Sequence, residues 1–335
     1  MFRSDPVPGS FGSVGFIAPA SSDRLKGFLT YVVENAETAR FTAEVAKEGM
    51  RRLENGPFSR LTMRIIATKG AMDALAKEVE SAGAEIEAQV PVTSDGSLVM
   101  VYIGYNKPSR TLSTERRAEH IQSINSAISS VDNAQPLKSL DAAKYGTKII
   151  DGPTRNFSTP ELEDIFNLLS TFGYDRESAL NVVSDESNII GLVYDAKTSR
   201  IVSISVTERR DIVLEVGITL HMAELTDAVT SDTERHNGLY PNLLNEVLKD
   251  IYDKHPEISL VYAESNISNT SLLNTAAIQG RQIGGMLPYH AYIRNPNTGN
   301  LELKTLAVTY LTRSGLLNVI ENAEEQESLQ KAIRT

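Results

Sequence analysis

Apolar side chains in the first 130 residues recur at two different spacings. Residues 24–54 keep apolar positions three or four apart, which predicts one long helix stopped by Asn55-Gly56-Pro57. Shorter runs of strand-like and helical spacing follow. They predict a strand at 61–68, a helix at 70–82, strands at 84–92 and 98–105, and a helix at 113–130. We therefore expect a small α/β domain over residues 1–130.

Residues 131–156 lack a clear periodicity. Pro136, Gly146, Gly152 and Pro153 interrupt the segment, and such residues are typical of turns and loops. We predict a linker between two domains here.

A second pattern begins after the linker, with Thr159 and Pro160 at the start of a helix. The elements that follow are a hairpin, a long extended segment, a polar loop, a helix, a strand, a helix and two more strands. The corresponding ranges are 189–195, 200–207, 212–230, 231–240, 241–252, 258–264, 268–279, 286–293 and 301–311. We predict a domain over 157–313 and an acidic helical tail over 314–335.

Composition narrows the function classes. The 335 residues contain no cysteine, which excludes disulfides, thiolate metal ligands and a cysteine nucleophile. No apolar run reaches the roughly 18 residues of a membrane span, and the first ten residues lack a signal-peptide pattern. The net charge of -10 argues against a nucleic-acid partner. We expect a cytoplasmic protein without a membrane partner.

The polar loop after residue 230 carries the clearest chemical signal. It leads into a helix near Pro241, and a helix start leaves backbone N–H groups unpaired. Those donors and the helix dipole favour an anion such as a pyrophosphate. Gly238 permits a close approach of the backbone, and Arg235 adds positive charge. A plain strand-to-helix turn is the alternative interpretation.

This loop resembles the acetyl-CoA motif of the GNAT superfamily of N-acetyltransferases, which reads Gln/Arg-x-x-Gly-x-Gly/Ala. Arg235 and Gly238 match its first and fourth positions, whereas Tyr240 stands where Gly or Ala is usual. The element order from Ser158 to Thr312 also agrees with that family. The resemblance implies an α/β (α+β) fold with a mixed, mostly antiparallel sheet flanked by helices.

The resemblance also implies acetyl-CoA as cosubstrate and a set of residues that contact it. The residues it places in the pyrophosphate loop are Arg235, His236, Asn237, Gly238, Leu239 and Tyr240. The strand before the loop, at Ala228, Val229 and Thr230, is expected to bind the pantetheine arm as an added strand would. Asn269 and Asn274, on the later helix, are further candidate contacts, and Asn269 is equally a candidate helix cap.

Glu224 is the candidate general base. It lies eleven residues before Arg235, the spacing found in the histone-acetylating branch of the family. A protonated amine must lose a proton before it attacks a thioester, and a carboxylate in an apolar cleft accepts one. Asp227 is the reserve candidate. Strict strand alternation puts it on the opposite face, but the strand bulge usual in the family brings the two nearer.

The acid that protonates the leaving thiolate stays open. Many family members use a tyrosine on the helix after the fifth strand, and residues 268–279 contain none. Tyr289, His290 and Tyr292 are alternatives further along the chain, each with a structural role as the competing interpretation.

The C-terminal half resembles beta-lysine N-acetyltransferases, through the pattern Glu224-x-Thr226-Asp227-x-x-Thr230. That similarity concerns a pattern and does not fix the substrate. The resemblance also suggests an interpretation of residues 61–105, whose strand, helix, strand and strand fit a degenerate half of the same fold. It lacks the phosphate loop, so we assign it packing or dimerisation, and a homodimer stays open.

The leading hypothesis is a transferase that acetylates a small-molecule amine, an amino acid or a derivative of one, by direct attack. A protein lysine as acceptor, or another acyl donor, is the second hypothesis, and an open groove rather than a closed pocket would favour a protein acceptor. A non-catalytic acyl-CoA-binding or interaction module is the third. We expect no metal, because the five histidines are scattered along the sequence.

Overall fold

The computed structural model describes residues 2–3, 14–18, 24–129, 140–152, 156–215, 217–294 and 298–321. Within these ranges a single mixed sheet of thirteen strands runs through the molecule, and helices cover it. None of these helices is both long enough and apolar enough to span a membrane.

The N-terminal half contributes six strands and three helices. Its strands are β1 (Phe2–Arg3), β2 (Val14–Ala18), β3 (Arg24–Val33), β4 (Arg60–Thr68), β5 (Glu85–Pro91) and β6 (Leu98–Asn106). Its helices are α1 (Ala36–Glu54), α2 (Met72–Ser81) and α3 (Thr114–Ser129). The strands and helices predicted between residues 61 and 130 are confirmed.

The C-terminal half contributes seven strands and five helices. Its strands are β7 (Tyr145–Asp151), β8 (Asn188–Asp195), β9 (Ile201–Val213), β10 (Thr219–Thr230), β11 (Leu260–Asn266), β12 (Gln282–Arg294) and β13 (Leu301–Thr312). Its helices are α4 (Thr159–Leu169), α5 (Arg176–Ser184), α6 (Leu239–Lys254), α7 (Thr270–Ile278) and α8 (313–321). This succession confirms the predicted fold class. Helix α8 occupies the start of the predicted tail, and residues 322–335 lie outside the described ranges.

The two halves repeat one arrangement. The strand order is β1-β2-β3-β4-β6-β5-β12-β13-β11-β10-β9-β8-β7. Counted outward from the joint, β5-β6-β4-β3 on one side corresponds to β12-β13-β11-β10 on the other. In each half the outer two of these strands are parallel and are connected through a helix. The N-terminal half therefore has the topology of a partial copy of the C-terminal half.

The joint between the halves is narrow. Strands β5 and β12 pair antiparallel through Ala88 and Gly285. Gly285 has a φ of 155°, and a Cβ there would lie 2.2 Å from the carbonyl oxygen of Glu87. Only glycine allows the strands to approach this closely.

The helix predicted over 24–54 is wrong for its first third, which forms strand β3. Leu25, Leu29, Tyr31 and Val33 alternate along one buried face, as a strand requires. The β-branched and aromatic residues near the end of β3 favour a strand. Its leucines, Leu25 and Leu29, are four residues apart, a spacing that is compatible with a helix and with a strand. The helix starts only after Asn35, whose side chain caps α1.

The linker predicted over 131–156 also differs from the structure, because β7 lies within it. This strand pairs antiparallel with β8 along its whole length, and Tyr145 and Ile150 are buried. Residues 131–139 and 153–155 of this segment lie outside the described ranges. The domain boundaries themselves stay a prediction.

The inner faces of the two halves share one core. Strand β10 shows how this arises, since its side chains alternate between two environments. Met222 packs among residues of both halves, such as Met100 and Tyr102, whereas Ala223 and Leu225 pack on the α6 side. The N-terminal half therefore covers the sheet face that carries Glu224.

Candidate active site

Strands β10 and β11 part in the middle of the sheet. Their parallel ladder ends at the pair Glu224–Tyr262, after which β10 stays paired with β9 and β11 with β13. Ala228, Val229 and Thr230 lie beyond this point. A backbone edge without a neighbouring strand offers N–H and C=O groups to a ligand that lies along it. The opening is where the expected pantetheine contacts fall.

The bulge expected in β10 is present. Leu225 pairs with Thr207 and Asp227 with Val206, so Thr226 is the extra residue. A bulge changes which side chains share a face. Burial raises the pKa of the Asp227 carboxyl group. The charge of the nearby Glu224 carboxylate raises it further.

Asp227 belongs to an acidic group near the opening. Tyr174 donates a hydrogen bond from its hydroxyl to Asp227 Oδ2 at 2.7 Å. Glu208, on β9, pairs with Glu224 across the ladder. Burial raises the pKa of Glu208, and the charges of Glu224 and Asp227 raise it further, although Arg210 opposes this. Three carboxylates thus lie close enough to favour a cation among them.

The loop after β10 ends in an uncapped helix. Gly238 occupies the N-cap position of α6 with a φ of 72°, and no side chain caps the first turn. The first N–H groups of an α-helix have no partner within the helix. The first turn of α6 thus has no side-chain cap among the described residues, and the anion site at this helix end stays a prediction.

Asn237 anchors the loop rather than pointing away from it. Its amide donates to Glu234 Oε2 at 3.0 Å and to the Tyr145 hydroxyl oxygen at 3.1 Å. Glu234 also accepts hydrogen bonds from the Tyr145 hydroxyl and from Lys144 Nζ, the latter at 2.9 Å. Strand β7 thus holds the loop in place.

The remaining loop residues have different environments. Arg235 is exposed and its guanidinium pairs with Asp232 at 2.6 Å. His236 is exposed and has a φ of 68°, an uncommon value for a residue other than glycine. Leu239 is buried against Leu243 and Val193. Arg235 and His236 are therefore the loop side chains accessible to a bound anion.

Tyr240 points inward from the first turn of α6. Its phenol makes a hydrogen bond with Arg281, which follows α7. Burial raises the pKa of Tyr240, and the neighbouring guanidinium lowers it in part. The residue that departs from the family motif thus packs against the core on the α6 side and contacts Arg281.

Glu224 is buried, with 7% of its surface exposed. Its Oε2 accepts a hydrogen bond from the Tyr262 hydroxyl at 2.8 Å and one from Arg64 Nη1 at 3.3 Å. Arg210 Nε lies 3.5 Å from the same oxygen. The candidate base is thus an oriented carboxylate between cations from two parts of the chain.

Arg64 comes from the N-terminal half. It also donates to the Tyr262 hydroxyl oxygen at 3.2 Å and forms an ion pair with Glu264. Its guanidinium lies 5.1 Å from the centre of the Tyr102 ring and 5.8 Å from that of Tyr262. Such a planar cation over aromatic faces is a favourable arrangement. Strand β4 therefore supplies one wall of the site.

His290 lies on the far side of Glu264. Its Nε2 is 3.4 Å from Glu264 Oε2, and its Nδ1 accepts a hydrogen bond from Arg60 Nε at 3.2 Å. Burial lowers the pKa of His290 well below its usual range. Burial alone would raise the pKa of Glu264, but Arg64 and His290 hold it well below the usual range. His290 is thus a neutral member of a buried network.

The other candidates from the sequence lie apart from Glu224. Asn269 caps α7 and accepts from the N–H of Leu272 at 3.2 Å. Asn274 is half-buried on the same helix. Tyr289 takes a φ of 43° in a bulge of β12, and Tyr292 is half exposed. No contact between these four residues and Glu224 is found in the described residues.

A cluster of metal-ligand type lies outside this site. Ligand atoms of Asp151, Asp250 and His255 come within 4.8 Å of one another. Both ring nitrogens of His255 already have acidic partners, Asp151 Oδ2 at 2.6 Å and Glu257 Oε1 at 3.1 Å. The sequence did not reveal this cluster, because β7 brings Asp151 to α6 from the segment interpreted as a linker.

The sequence interpretation also missed Arg64, Tyr262 and Glu264. One signal was present: each is a polar or ionisable side chain in a strand whose other residues are mostly apolar. A buried charge needs a partner. Glu224 and Glu264 share Arg64 as their partner, and Arg64 lies on a strand 160 residues before Glu224. The sequence did not show this pairing.

No protein-family model matches the sequence, and a sequence comparison with curated proteins finds no relative. Solved structures are similar to about half of the chain. One is Arabidopsis thaliana NAA60 with acetyl-CoA, 13% identical, TM-score 0.41, covering 50% of this chain and 98% of its own. Another is the Vibrio cholerae spermidine N-acetyltransferase with CoA and spermine. It is 14% identical with a TM-score of 0.39, and the match covers 52% of this chain and 99% of that protein. A third is the ribosomal-protein-S18-alanine N-acetyltransferase of Escherichia coli. It is 11% identical with a TM-score of 0.38, and the match covers 50% of this chain and 94% of that protein. Likeness at this level does not establish the activity of the chain.

Proposed function

We propose that this protein is an acetyl-CoA-dependent N-acetyltransferase that acts on a small amine. The observation that carries the proposal is the parting of β10 and β11 directly beyond Glu224. The proposed site for the pantetheine arm, the proposed anion site and the candidate base Glu224 then all lie on β10 and the loop that follows it.

The described residues fit acetyl-CoA at two places. The uncapped first turn of α6 after Gly238 suits a pyrophosphate, through its N–H groups and the helix dipole. The free edge of β10 at Ala228, Val229 and Thr230 suits the pantetheine arm. A backbone N–H on that edge would polarise the thioester carbonyl and stabilise the oxyanion that forms.

Glu224 is proposed to take the proton that the ammonium group of the acceptor must lose. The nitrogen lone pair then attacks the thioester carbon, and the carbon–sulfur bond breaks as the carbonyl re-forms. The thiolate leaves and takes up the second proton, which the nitrogen loses as the amide forms. Glu208 and Asp227 lie near Glu224 and would attract the positive charge of the acceptor before it reacts.

The covering of Glu224 favours a small acceptor. Strand β4 and Tyr102 close the sheet face in front of this carboxylate, and Arg64 contacts it directly. An enclosed, charged site suits a metabolite, whereas a protein lysine needs an open groove. The acceptor would then be enclosed by both halves of the molecule.

Calorimetry with acetyl-CoA tests this proposal. We expect micromolar binding to the wild type and its loss in Gly238→Trp, which places a bulky side chain at the phosphate position. Gly83→Trp is the matched control, because Gly83 also has a positive φ (85°) and open space around it, at the end of α2. Loss of binding in both variants, or no binding to the wild type, would contradict the cofactor site.

A non-catalytic acyl-CoA-binding module is the second candidate. It is favoured by Tyr240, which fills space that the family motif leaves to Gly or Ala. Binding of acetyl-CoA without turnover of any amine in a broad substrate screen would support this candidate against the transferase.

A further inference from the structure

Three buried polar atoms on residues just after α7 have no hydrogen-bond partner among the described residues. They are Oε1 of Gln279 and the Nε and Nη2 atoms of Arg281. Both residues are more than nine-tenths buried, with 4% and 8% of their surface exposed. Buried polar groups in folded proteins nearly always have partners, so the unpaired N–H groups of Arg281 are available to a ligand.

Arg281 differs from the other deeply buried arginines of the described chain. Arg60 pairs with Glu87, and Arg110 donates hydrogen bonds to the carbonyl oxygens of Tyr289 and His290. Arg281 forms no ion pair with a described residue, and the phenol of Tyr240 is the group that offsets the burial of its charge. An uncompensated buried cation is costly. An anion that reached it would remove that cost.

The position of this cation matters as much as its burial. Tyr240, which contacts Arg281, is the second residue of α6, and the first turn of that helix has no side-chain cap. The guanidinium and the positive end of the helix dipole would therefore attract the same anion. A guanidinium with two free N–H groups also matches the geometry of phosphate oxygens.

We propose that Arg281 and the first turn of α6 form a binding site for a phosphate group. The Tyr240 phenol occupies this site until the ligand displaces it. The inference rests on the proposed function as far as the phosphate belongs to acetyl-CoA. A free phosphorylated metabolite has the same chemistry and is distinguished by the test.

The test is calorimetry of the full chain with three probes: acetyl-CoA, S-acetyl-pantetheine without phosphates, and inorganic pyrophosphate. Arg281→Gln should weaken acetyl-CoA and pyrophosphate by about 10- to 100-fold, the effect of one or two charge-assisted hydrogen bonds. Binding of S-acetyl-pantetheine should not change. The control is Arg176→Gln, which removes an exposed arginine that pairs with Glu163.

A second variant and a stability measurement separate ligand binding from a structural role. Tyr240→Phe should strengthen pyrophosphate binding, because no hydroxyl competes for Arg281. The ligand-free Arg281→Gln protein should be at least as stable as the wild type, because a buried charge without an acid partner is removed.

The outcomes are distinct. Equal acetyl-CoA and pyrophosphate affinities in wild type and Arg281→Gln would overturn the site, as would a clear loss of stability with no pyrophosphate binding to Tyr240→Phe. Arg281-dependent binding of pyrophosphate without any binding of acetyl-CoA would support the phosphate site while contradicting the proposed transferase.

Discussion

The two parallel crossovers of this molecule, β3–α1–β4 and β10–α6–β11, share a topology but differ in how their backbone groups are used. In the first, the ladder is interrupted after Phe28 and resumes at Val32. Two residues, Glu34 and Asn35, then lead into α1. In the second, the ladder stops at Glu224 and an eight-residue loop leads into α6.

The helix starts differ in the same way. Asn35 accepts hydrogen bonds from the N–H groups of Glu37 and Thr38, and Thr38 returns a bond to the cap. Gly238 offers no side chain to α6. The first crossover thus pairs donors of its helix start with a side-chain cap, whereas the second has no such cap, and we propose that a ligand pairs with its donors. Because the two crossovers share a topology, the proposed difference in ligand binding depends on which backbone N–H groups stay unpaired at the helix start.

The sharpest test of this contrast concerns Glu224, the last residue before the strands part. Glu224→Gln should lower kcat by about 10²- to 10⁴-fold, the usual contribution of a general base. Acetyl-CoA affinity should hardly change, because the carboxylate does not face the loop. Steady-state kinetics and calorimetry measure the two quantities. Wild-type turnover would exclude Glu224 as the base, and a larger loss in Asp227→Asn would transfer the role.

The second test asks whether the N-terminal half supports the site of the other half. Arg64→Ala leaves Glu224 and Glu264 without their shared cation, so we expect a loss of about 3–5 kcal/mol in the free energy of unfolding. Urea denaturation measures this loss. Arg176→Ala, at an exposed ion pair, should change the free energy of unfolding far less than Arg64→Ala does. Equal losses in the two variants would mean that Arg64 does not carry the buried network.

The third test concerns the capped crossover alone. Asn35→Ala removes the cap of α1 and should lower stability by about 1 kcal/mol. Acetyl-CoA binding should stay the same, because the first crossover is not proposed to bind ligand. Denaturation and calorimetry on one preparation check both statements. A matching loss of cofactor affinity would break the distinction between the crossovers.

The smallest expected effect concerns Lys26 on β3. Burial, followed by the charges of Arg24 and Arg64, lowers the pKa of this amine from 10.5 to about 8. Between these values the unfolded chain binds more protons than the native protein, so stability rises with pH. Below pH 8 the full penalty applies. Lys26→Met should therefore gain more stability relative to wild type at pH 7 than at pH 9.5, which denaturation at both pH values would show. An equal difference at the two pH values would contradict the shift.

The sequence predicted most elements of the C-terminal half because they have strong local signals. It missed α5, and residues 212–213 of the predicted extended segment belong to β9 rather than to β10. Thr159 and Pro160 start a helix, and the periodicity of α6 identifies its buried face. The same local signals misled at residues 24–33, where apolar spacing fits a helix and a strand alike and only the partner strand β4 decides. Arg64, Tyr262 and Glu264 escaped notice because their roles depend on contacts between distant parts of the chain.

The joint at Ala88 and Gly285 has a consequence for the order in which the protein folds. Strand β5 is synthesised early, but its partner β12 emerges about 200 residues later, and Arg64 meets Glu224 across 160 residues of sequence. Contacts of such long range form slowly. A nascent chain therefore presents the open edge of β5 until its last strands arrive, and it has no complete charge network around Glu224 before then.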